Sequence, residues 1–151
     1  MNIVKLLDFE EGFRSEPYLC SEGYVTIGIG ERIGSKNQPL SDFKLITTCK
    51  GAAYAQLEFK LAGITANLSN EFEFFDDLNE CRQAVLISMA YQMGVAGLLM
   101  FERMLKAIKA QCWNDAAHEG LDSRWAKQTP ARAHRQMKTL LTGTWSEYDL
   151  A

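Results

Sequence analysis

Long apolar runs are missing from this chain of 151 residues, and its first residues do not predict a secretory leader. No apolar run approaches the roughly 20 residues that a helix needs to span a bilayer, which argues against insertion into a membrane. Residues 1–11 carry one lysine, end in two glutamates and lack a small-residue cleavage site, so they do not resemble a signal peptide. We therefore expect that any work outside the cytoplasm depends on another exit route.

Cysteine and histidine are sparse, and they are spaced too widely for a metal site or a disulfide framework. The four cysteines stand at positions 20, 49, 81 and 112, with no Cys-x-x-Cys pair, and only two histidines could assist them. Zinc sites and disulfide-rich scaffolds need denser clusters. We expect no metal and no other cofactor. We also expect free thiols in a reducing compartment, most of them buried as small hydrophobic side chains.

The chain has no strong excess of basic charge, since its formal net charge is −3. This balance argues against a dedicated nucleic-acid-binding protein, which needs a basic surface. One segment departs from the average, because residues 124–138 carry five basic side chains and no acidic one. This segment is either the solvated face of a helix or a contact for an anionic polymer.

The composition, with 47% hydrophobic and 23% charged residues, is typical of one globular domain. At the start of the chain, the spacing of apolar residues predicts a short helix with Asn2 as its N-cap and Gly12 as its stop residue. A β-hairpin is predicted next, with strands at 17–19 and 24–30 joined by a glycine-containing turn.

Side chains alternate between two faces along the second strand of this hairpin. Val25, Ile27 and Ile29 share a face that requires a core. The opposite face carries Thr26 and glycines, which leaves room for another group to approach the backbone closely. Residues 34–42, rich in Gly, Pro, Ser and Asn, are predicted to be a loop.

Most of the remaining chain is predicted to be helical, so the fold class is α+β, predominantly helical. A long helix is predicted from Thr47 to about Asn67, capped by Thr47 or Thr48, with a connector over 68–77. Further helices are predicted from about 78 to 93, at 98–111, at 113–126 and at 131–141, with breaks at Gly94 and Gly97, Pro130 in the last helix's first turn and Thr129 as its cap.

Glu11 is the first candidate catalytic residue. It lies four residues after Leu7 and therefore shares that face of the first helix, at the end where the helix dipole is negative. Partial burial and a negative dipole both disfavour the ionised carboxylate. A carboxylic acid that keeps its proton is what general acid catalysis needs. The same spacing also fits a surface glutamate at a helix end, and Glu10 fits that interpretation equally well.

Cys20 and Thr26 each allow a functional and a structural interpretation. Thr26 is either an ordinary β-branched strand residue or a hydroxyl that positions a water or a substrate group. Cys20 lies in the predicted turn, where we expect it to be less buried than the other cysteines. It is either an inert thiol or a thiol that acts at the edge of a site.

Taken together, these three residues form a spaced set that leads into the segment T-I-G-I-G. Glu11 is followed by eight residues, Cys20, five residues and Thr26. This set closely resembles the T-even type of phage lysozyme, glycoside hydrolase family 24, whose motif is Glu, eight residues, Asp or Cys, five residues, Thr. The segments at 84–94, 123–133 and 142–145 also resemble later segments of that family, in the same order.

The resemblance implies a two-lobed phage-lysozyme fold. A hairpin lobe would span 13–46, a connecting helix 47–67, and a helical lobe 1–12 plus 68–151. The cleft between the lobes would hold a glycan strand of peptidoglycan. The implied reaction is hydrolysis of the β-1,4 bond between N-acetylmuramic acid and N-acetylglucosamine, with Glu11 as the general acid.

The resemblance also implies substrate contacts, carried over by position in the family's motifs. These residues are Glu22, Gly30, Tyr91, Gln92, Arg124, Gln128 and Thr129. Each also has a structural interpretation; Gln128 and Thr129, for example, could simply cap the helix that begins behind Pro130.

Cys20 is the main departure from the family, which usually has Asp here and inverts the anomeric carbon. Three roles stay open: the thiolate acts as base, it attacks the anomeric carbon and gives retention, or Thr26 and other groups place the water without it. The second role is the least expected. Neighbouring Glu22 is expected to raise the pKa of the thiol.

Two further departures concern charge. Position 31, often His in this family, is Glu31, so a histidine ion pair cannot form there. Members of the family are often strongly basic, whereas this chain has a net charge of −3, which predicts weaker electrostatic steering towards an anionic wall. Binding to the wall would then depend on the basic segment 124–138.

Two other functions remain as alternatives. One is a catalytically impaired, lysozyme-like protein that binds peptidoglycan without cutting it, which Cys20 keeps open. The other is a helical interaction domain with no glycan role, for which the aromatic stretch 72–75 is the only hint. Under the lysozyme interpretation we expect a monomer that waits in the host cytoplasm until a separate holin releases it to the periplasmic peptidoglycan.

Overall fold

A computed structural model of the chain describes residues 2–148. They form an α+β fold, predominantly helical, as the sequence predicts. The elements are α1 (Ile3–Glu11), β1 (Arg14–Leu19), β2 (Tyr24–Gly28), β3 (Glu31–Lys36), α2 (Lys50–Glu71), α3 (Glu80–Leu99), α4 (Glu102–Lys109), α5 (Trp113–Leu121), α6 (Arg124–Gln128) and α7 (Pro130–Thr142), with a short 3-10 helix at Leu40–Phe43.

Contacts between residues divide the chain into two compact units, one of residues 7–60 and one of residues 2–6 with 61–148. The division falls within α1 and within α2. The lobe bounds that the sequence suggests, at residues 13, 46 and 68, stay a prediction.

The first helix begins and ends where the sequence predicts. The side chain of Asn2 accepts a hydrogen bond from the backbone N–H of Lys5 at 3.0 Å, which satisfies one of the free donors at the start of α1. At the other end, Gly12 has a φ of +69° and its N–H donates to the carbonyl of Asp8. This left-handed glycine turns the chain out of the helix directly after Glu11.

The 7–60 unit contains a three-stranded antiparallel sheet in the order β1-β2-β3. The sequence predicts only the first two strands, and its loop at 34–42 is wrong at residues 34–36, which end β3. Gly34 explains this strand, because a Cβ there would lie 2.7 Å from the ring of Phe43 and 2.9 Å from Cβ of Val25. Glycine at this position permits a close packing that a strand pattern alone does not reveal.

The core face of β2 is as predicted, but the opposite face is also covered. Val25, Ile27 and Ile29 are at most 5% exposed. Thr26, on the other face, is only 2% exposed. The strand is also shorter than predicted, since it ends at Gly28 and a turn follows.

The start of α2 differs from the prediction. The hydroxyl of Thr47 and the backbone N–H of Thr48 both donate to the carbonyl of Ser15, so these threonines bind the segment to β1 and do not cap the helix. The sulfur of Cys49 instead accepts a hydrogen bond from the N–H of Ala52 at 3.5 Å. The helix begins at Lys50 and continues past the predicted end to Glu71.

The second unit packs its helices around the apolar stripe of α3. Val85, Leu86 and Met89 are fully buried, and the predicted break at Gly94 is confirmed by its φ of 80° and ψ of 159°. The predicted helix at 113–126 begins at Trp113 as expected but is wrong as a single helix, because residues 122–123 are not helical. Ser123 starts α6 there, since its hydroxyl accepts from the N–H of Ala126 at 3.1 Å.

The basic segment 124–138 is not one solvated face. Arg132 is only 8% exposed, and its Nη2 donates to the hydroxyl oxygen of Ser88 at 3.0 Å. Gln136, fully buried, donates to the same oxygen at 2.7 Å. The exposed basic charge of this segment is therefore smaller than its sequence suggests.

The thiols also differ from expectation. All four cysteines are free, as predicted, but only Cys81 is buried. Cys49 and Cys112 are exposed, and Cys20 is intermediate, so Cys20 is not the most accessible of them. Within residues 2–148 no single helix is long and apolar enough to cross a membrane; α3 and α4 satisfy length and composition only as a pair, with a 99° bend between them.

Candidate active site

Glu11 is the last residue of α1, and its carboxylate lies against the backbone of Gly30 in the turn between β2 and β3. A Cβ on Gly30 would lie 3.1 Å from Oε2 and 3.3 Å from Cδ of Glu11. The sequence predicts that some group approaches the glycines of this strand closely. At Gly30 that group is the Glu11 carboxylate itself, and at Gly28 it is the Cβ of Ala53 on α2.

Thr26 stands in the middle of β2 with a buried hydroxyl. Its Oγ1 donates to the carbonyl of Tyr24 at 3.1 Å, and the same hydroxyl helps to lower the pKa of the Cys20 thiol. A hydroxyl has one proton, so it can serve only one of these acceptors at a time. Deprotonation of Cys20 makes the sulfur the stronger acceptor, and Thr26 can then turn its proton to the thiolate.

Cys20 lies in the turn between β1 and β2, half-buried, with its N–H donating to the carbonyl of Tyr24 at 3.0 Å. Burial raises the pKa of this thiol. The backbone N–H groups of Tyr24 and Glu22, the Thr26 hydroxyl and the charge of Arg32 lower it by more, so the pKa lies below its ordinary value. The turn therefore favours the thiolate.

The predicted effect of Glu22 on Cys20 is wrong in sign. The Glu22 carboxylate forms an ion pair with Arg32 on β3, which offsets its negative charge. Its backbone N–H, by contrast, helps to lower the pKa of Cys20. Sequence reasoning missed this because it did not predict β3, the strand that brings Arg32 to the turn.

Tyr18 is a further residue of this site that sequence reasoning missed. It pairs in register with Thr26 across β1 and β2. Its pKa is raised by burial, then by the negative charge of Glu11, and Cys20 acts in the same direction. Tyr18 thus lies within electrostatic range of both Glu11 and Cys20. Correct pairing of the two predicted strands is the sequence signal that could have identified it.

Glu31 stands at the position where the family often has histidine. It forms an ion pair with Lys60 on α2. The position therefore forms a salt bridge with a lysine, although the sequence rules out a histidine ion pair there. Glu11, Cys20, Thr26, Glu22 and Gly30 all belong to the 7–60 unit.

The other predicted contact residues belong to the second unit, on α3 and around α6. Gln92 accepts a hydrogen bond from the indole N–H of Trp125 at 2.8 Å, and its neighbour Tyr91 is half-buried. Arg124 and Gln128, the first and last residues of α6, are exposed. Both are available to a ligand at the surface of this unit.

Thr129 stands between α6 and α7, and its hydroxyl does not cap α7. The hydroxyl donates back to the carbonyl of Trp125 at 3.1 Å, and the backbone N–H donates to the same carbonyl at 2.9 Å. Thr129 therefore satisfies the end of α6. Among residues 2–148, no three His, Cys, Asp or Glu side chains gather where they could hold a metal ion.

Comparison with known proteins matches the chain to one family. The family model described as phage lysozyme matches residues 8–142. Probable T4-type lysozyme 1 of Dictyostelium discoideum is 31% identical, over 97% of this chain and 98% of its own length. Probable T4-type lysozyme 2 of the same organism is 30% identical over the same shares.

A third relative contains a similar sequence within a longer protein. The pre-baseplate central spike protein of Enterobacteria phage T4 is 33% identical over 98% of this chain, which covers 29% of that protein's length. The matches to the two Dictyostelium lysozymes and to the family model extend over nearly the whole chain. The chain therefore belongs to the phage lysozyme family, as a T4-type lysozyme that hydrolyses peptidoglycan.

Proposed function

We propose that the chain is a muramidase that cleaves the β-1,4 bond between N-acetylmuramic acid and N-acetylglucosamine, with Glu11 as the proton donor. The observation that carries this proposal is the place of Glu11 at the end of α1, with its carboxylate against Gly30. A glycine there leaves the carboxyl group room beside the backbone. In the reaction, the Glu11 proton passes to the glycosidic oxygen as the bond to the anomeric carbon breaks.

Cys20 is proposed as the base for the attacking water. The water oxygen bonds to the anomeric carbon, and one of its protons passes to the thiolate, so the anomeric configuration inverts. The lowered pKa of Cys20 supports this role, because a larger thiolate fraction is present near neutral pH. Attack by the thiolate itself would give a thioglycoside intermediate and retention, which is the outcome to exclude.

Thr26 is proposed to orient the water or to stabilise the thiolate. Its hydroxyl, buried on β2, helps to lower the pKa of Cys20 and also has an acceptor in the carbonyl of Tyr24. A hydroxyl with two acceptors can follow the charge of the thiol during the reaction. A Thr26→Val variant, which keeps the shape without the hydroxyl, should lose most of its activity.

We also propose contacts with the glycan on the strength of the family's motif positions. On the 7–60 unit these are Glu22 and Gly30. On the second unit they are the residues Tyr91, Gln92, Arg124, Gln128 and Thr129. Among these, the exposed Arg124 and Gln128 are the first to replace, since their substitution should not disturb the core of that unit.

The test is lysis of cell-wall suspensions together with a zymogram that contains peptidoglycan. Glu11→Gln should abolish lysis and the release of reducing ends, whereas Glu10→Gln, one residue earlier on the same helix, should retain both. Full lysis by Glu11→Gln would remove Glu11 from the acid role. Wall binding without any release of reducing ends by the unmodified protein would instead identify a peptidoglycan-binding protein.

Cys20→Ser separates the roles of the thiol. Little activity in Cys20→Ser would support the thiolate as base, and NMR of the first product's anomer distinguishes inversion from retention. Unchanged turnover would show that the thiolate is not essential.

Four further expectations stay predictions: the monomeric state, the stay in the host cytoplasm, the release by a holin and the lysis of the host. Sizing in solution tests the first, and fractionation of infected cells tests the others.

A further inference from the structure

An ion pair connects strand β3 to the turn that carries Cys20. The Nη2 group of Arg32 donates to Oε2 of Glu22, and the guanidinium carbon lies 4.3 Å from the centre of the Tyr24 ring. Glu22 supplies a charge-assisted hydrogen bond, and the ring supplies a cation–π contact. The two contacts hold the guanidinium in place although about half of the Arg32 side chain is exposed.

The register of the sheet places this guanidinium near the site. Thr26 pairs with Tyr18 on one side and with Arg32 on the other, so these three residues form a row across β1, β2 and β3. Residues directly opposite each other in antiparallel strands project to the same face of a sheet. Arg32 is thus on the same face of the sheet as Thr26, and its partner Glu22 lies in the turn that carries Cys20.

We propose that Arg32 is a positioning residue for Cys20: its guanidinium, held by Glu22 and Tyr24, favours the thiolate where the proton of the attacking water must go. This inference rests on the proposed function, in which Cys20 is the base. A fixed cation near a thiol stabilises the thiolate. The direction agrees with the pKa of Cys20, which Arg32 helps to lower.

Three other titratable groups of this site influence the charge around Cys20. Glu22, in the same turn, is the partner of Arg32. Tyr18, on β1, has a raised pKa and is neutral near pH 7. Glu11, at the end of α1, acts on Tyr18 through its charge. Arg32 is therefore the cation whose removal should change the ionisation of Cys20.

The experiment measures alkylation of Cys20 by iodoacetamide as a function of pH, with each cysteine followed separately by mass spectrometry of its peptide. Iodoacetamide reacts with the thiolate, so the rate reports the thiolate fraction. Arg32→Gln should slow alkylation of Cys20 near neutral pH by about two- to threefold, the size expected for one partly exposed charge. Arg32→Lys, which keeps the cation, should recover at least part of the rate.

Two controls accompany the variant. The exposed thiols of Cys49 and Cys112 are internal references, whose alkylation Arg32→Gln should leave unchanged. Arg14→Gln is the matched variant, because Arg14 also stacks on a tyrosine of this sheet, 4.5 Å from the ring centre of Tyr18, but pairs in register with Gly28 at the far end of β1. It should leave the alkylation of Cys20 unchanged.

The unmodified protein gives a second measurement that does not depend on the folding of a variant. Raising the salt concentration from about 0.02 M to about 1 M screens the partly exposed guanidinium. Alkylation of Cys20 should then slow relative to that of Cys49. If the rate of Cys20 alkylation changed neither with salt nor in Arg32→Gln, the inference would be overturned.

Lysis distinguishes the inference from the proposed function. If both hold, Arg32→Gln moves the acidic limb of the pH–lysis profile to higher pH, in the same direction as the alkylation profile, and Arg32→Lys restores it. Altered alkylation with an unmoved lysis profile would overturn the role of Arg32 in the reaction while leaving Glu11 as the acid. Persistent lysis by Glu11→Gln would instead contradict the proposed function, whatever the alkylation of Cys20 shows.

Discussion

The carboxylate of Glu11 and the backbone of Gly30 are in close approach, so that a Cβ at position 30 would lie 3.1 Å from Oε2. Gly30 also has a φ of +70°, in the left-handed region that other residues rarely adopt. Two independent requirements, backbone conformation and space for the carboxyl group, therefore call for glycine at one position beside the candidate acid.

Gly30→Ala should lower both stability and activity. The left-handed backbone costs about 1–2 kcal/mol with a Cβ, so the free energy of unfolding should fall by about that amount. Lysis should fall further than the loss of folded protein explains, because the methyl group displaces the Glu11 carboxylate. Denaturant unfolding and specific lysis rates measure the two effects.

Gly51→Ala is the matched control for this prediction. Gly51 is exposed within α2, and a Cβ there would meet nothing within 4 Å. Alanine should stabilise the helix by about 0.5–1 kcal/mol and leave lysis unchanged. If Gly30→Ala behaved like Gly51→Ala, the close approach of Glu11 to Gly30 would not constrain the site.

Local chemistry made much of the fold predictable from the sequence. The cap at Asn2, the stop at Gly12 and the break at Gly94 each depend on one residue and its immediate backbone. The third strand could not be predicted in this way. Its residues do not alternate between apolar and polar, and Gly34 suits a strand only because the ring of Phe43 lies over it.

The strand β3, which the sequence does not predict, also explains the main error at the candidate site. Glu22 follows Cys20 closely in sequence, and this proximity alone predicts that its charge raises the pKa of the thiol. Its partner Arg32 is ten residues further along the chain, on β3, and only the sheet brings the two together. A pKa that depends on a contact between strands cannot be predicted from neighbours in the sequence.

Gln92 should contribute to stability through Trp125. The indole N–H of Trp125, a residue only 6% exposed, donates to Oε1 of Gln92 at 2.8 Å. Gln92→Ala removes this acceptor and should destabilise the protein by about 1–3 kcal/mol, the cost of leaving a buried donor unsatisfied. Urea unfolding measures the loss. Gln92→Glu, which keeps an oxygen in place, should lose less; equal losses in the two variants would mean that the hydrogen bond contributes nothing.

Substitution of Ser88 should destabilise the protein more than substitution of Gln136. Ser88 accepts from both Arg132 and Gln136, so Ser88→Ala removes an acceptor from two buried donors and should cost about 2–3 kcal/mol. Among the described residues, Oε1 of Gln136 is buried without a hydrogen-bond partner. Gln136→Met removes that oxygen and leaves Ser88 bonded to Arg132, so its stability should change by less than about 1 kcal/mol.

Thermal or urea unfolding measures the loss of stability in each of these two variants. A larger loss in Gln136→Met than in Ser88→Ala would show that the amide, and not the serine hydroxyl, organises the packing of α3 against α7. Circular dichroism of both folded variants is the control for changes in helix content.

The ionisation of Cys20 should make the stability of the protein depend on pH. Since its pKa is lowered in the folded chain, the unfolded state binds more protons at this site between the folded and the ordinary pKa. The stabilisation is therefore fully present above the ordinary pKa of a thiol and is lost as the pH falls through the folded pKa. The free energy of unfolding of the unmodified protein, minus that of Cys20→Ser, should rise with pH across this window.

Urea unfolding at intervals from about pH 6 to about pH 9.5 covers the window, since a thiol ordinarily ionises near 8.5. The same difference measured in an Arg32→Gln background should rise less, because the cation that favours the thiolate is gone. A difference that falls with rising pH would mean that burial dominates at Cys20, and the thiol would then be a poor base at the pH where the enzyme works.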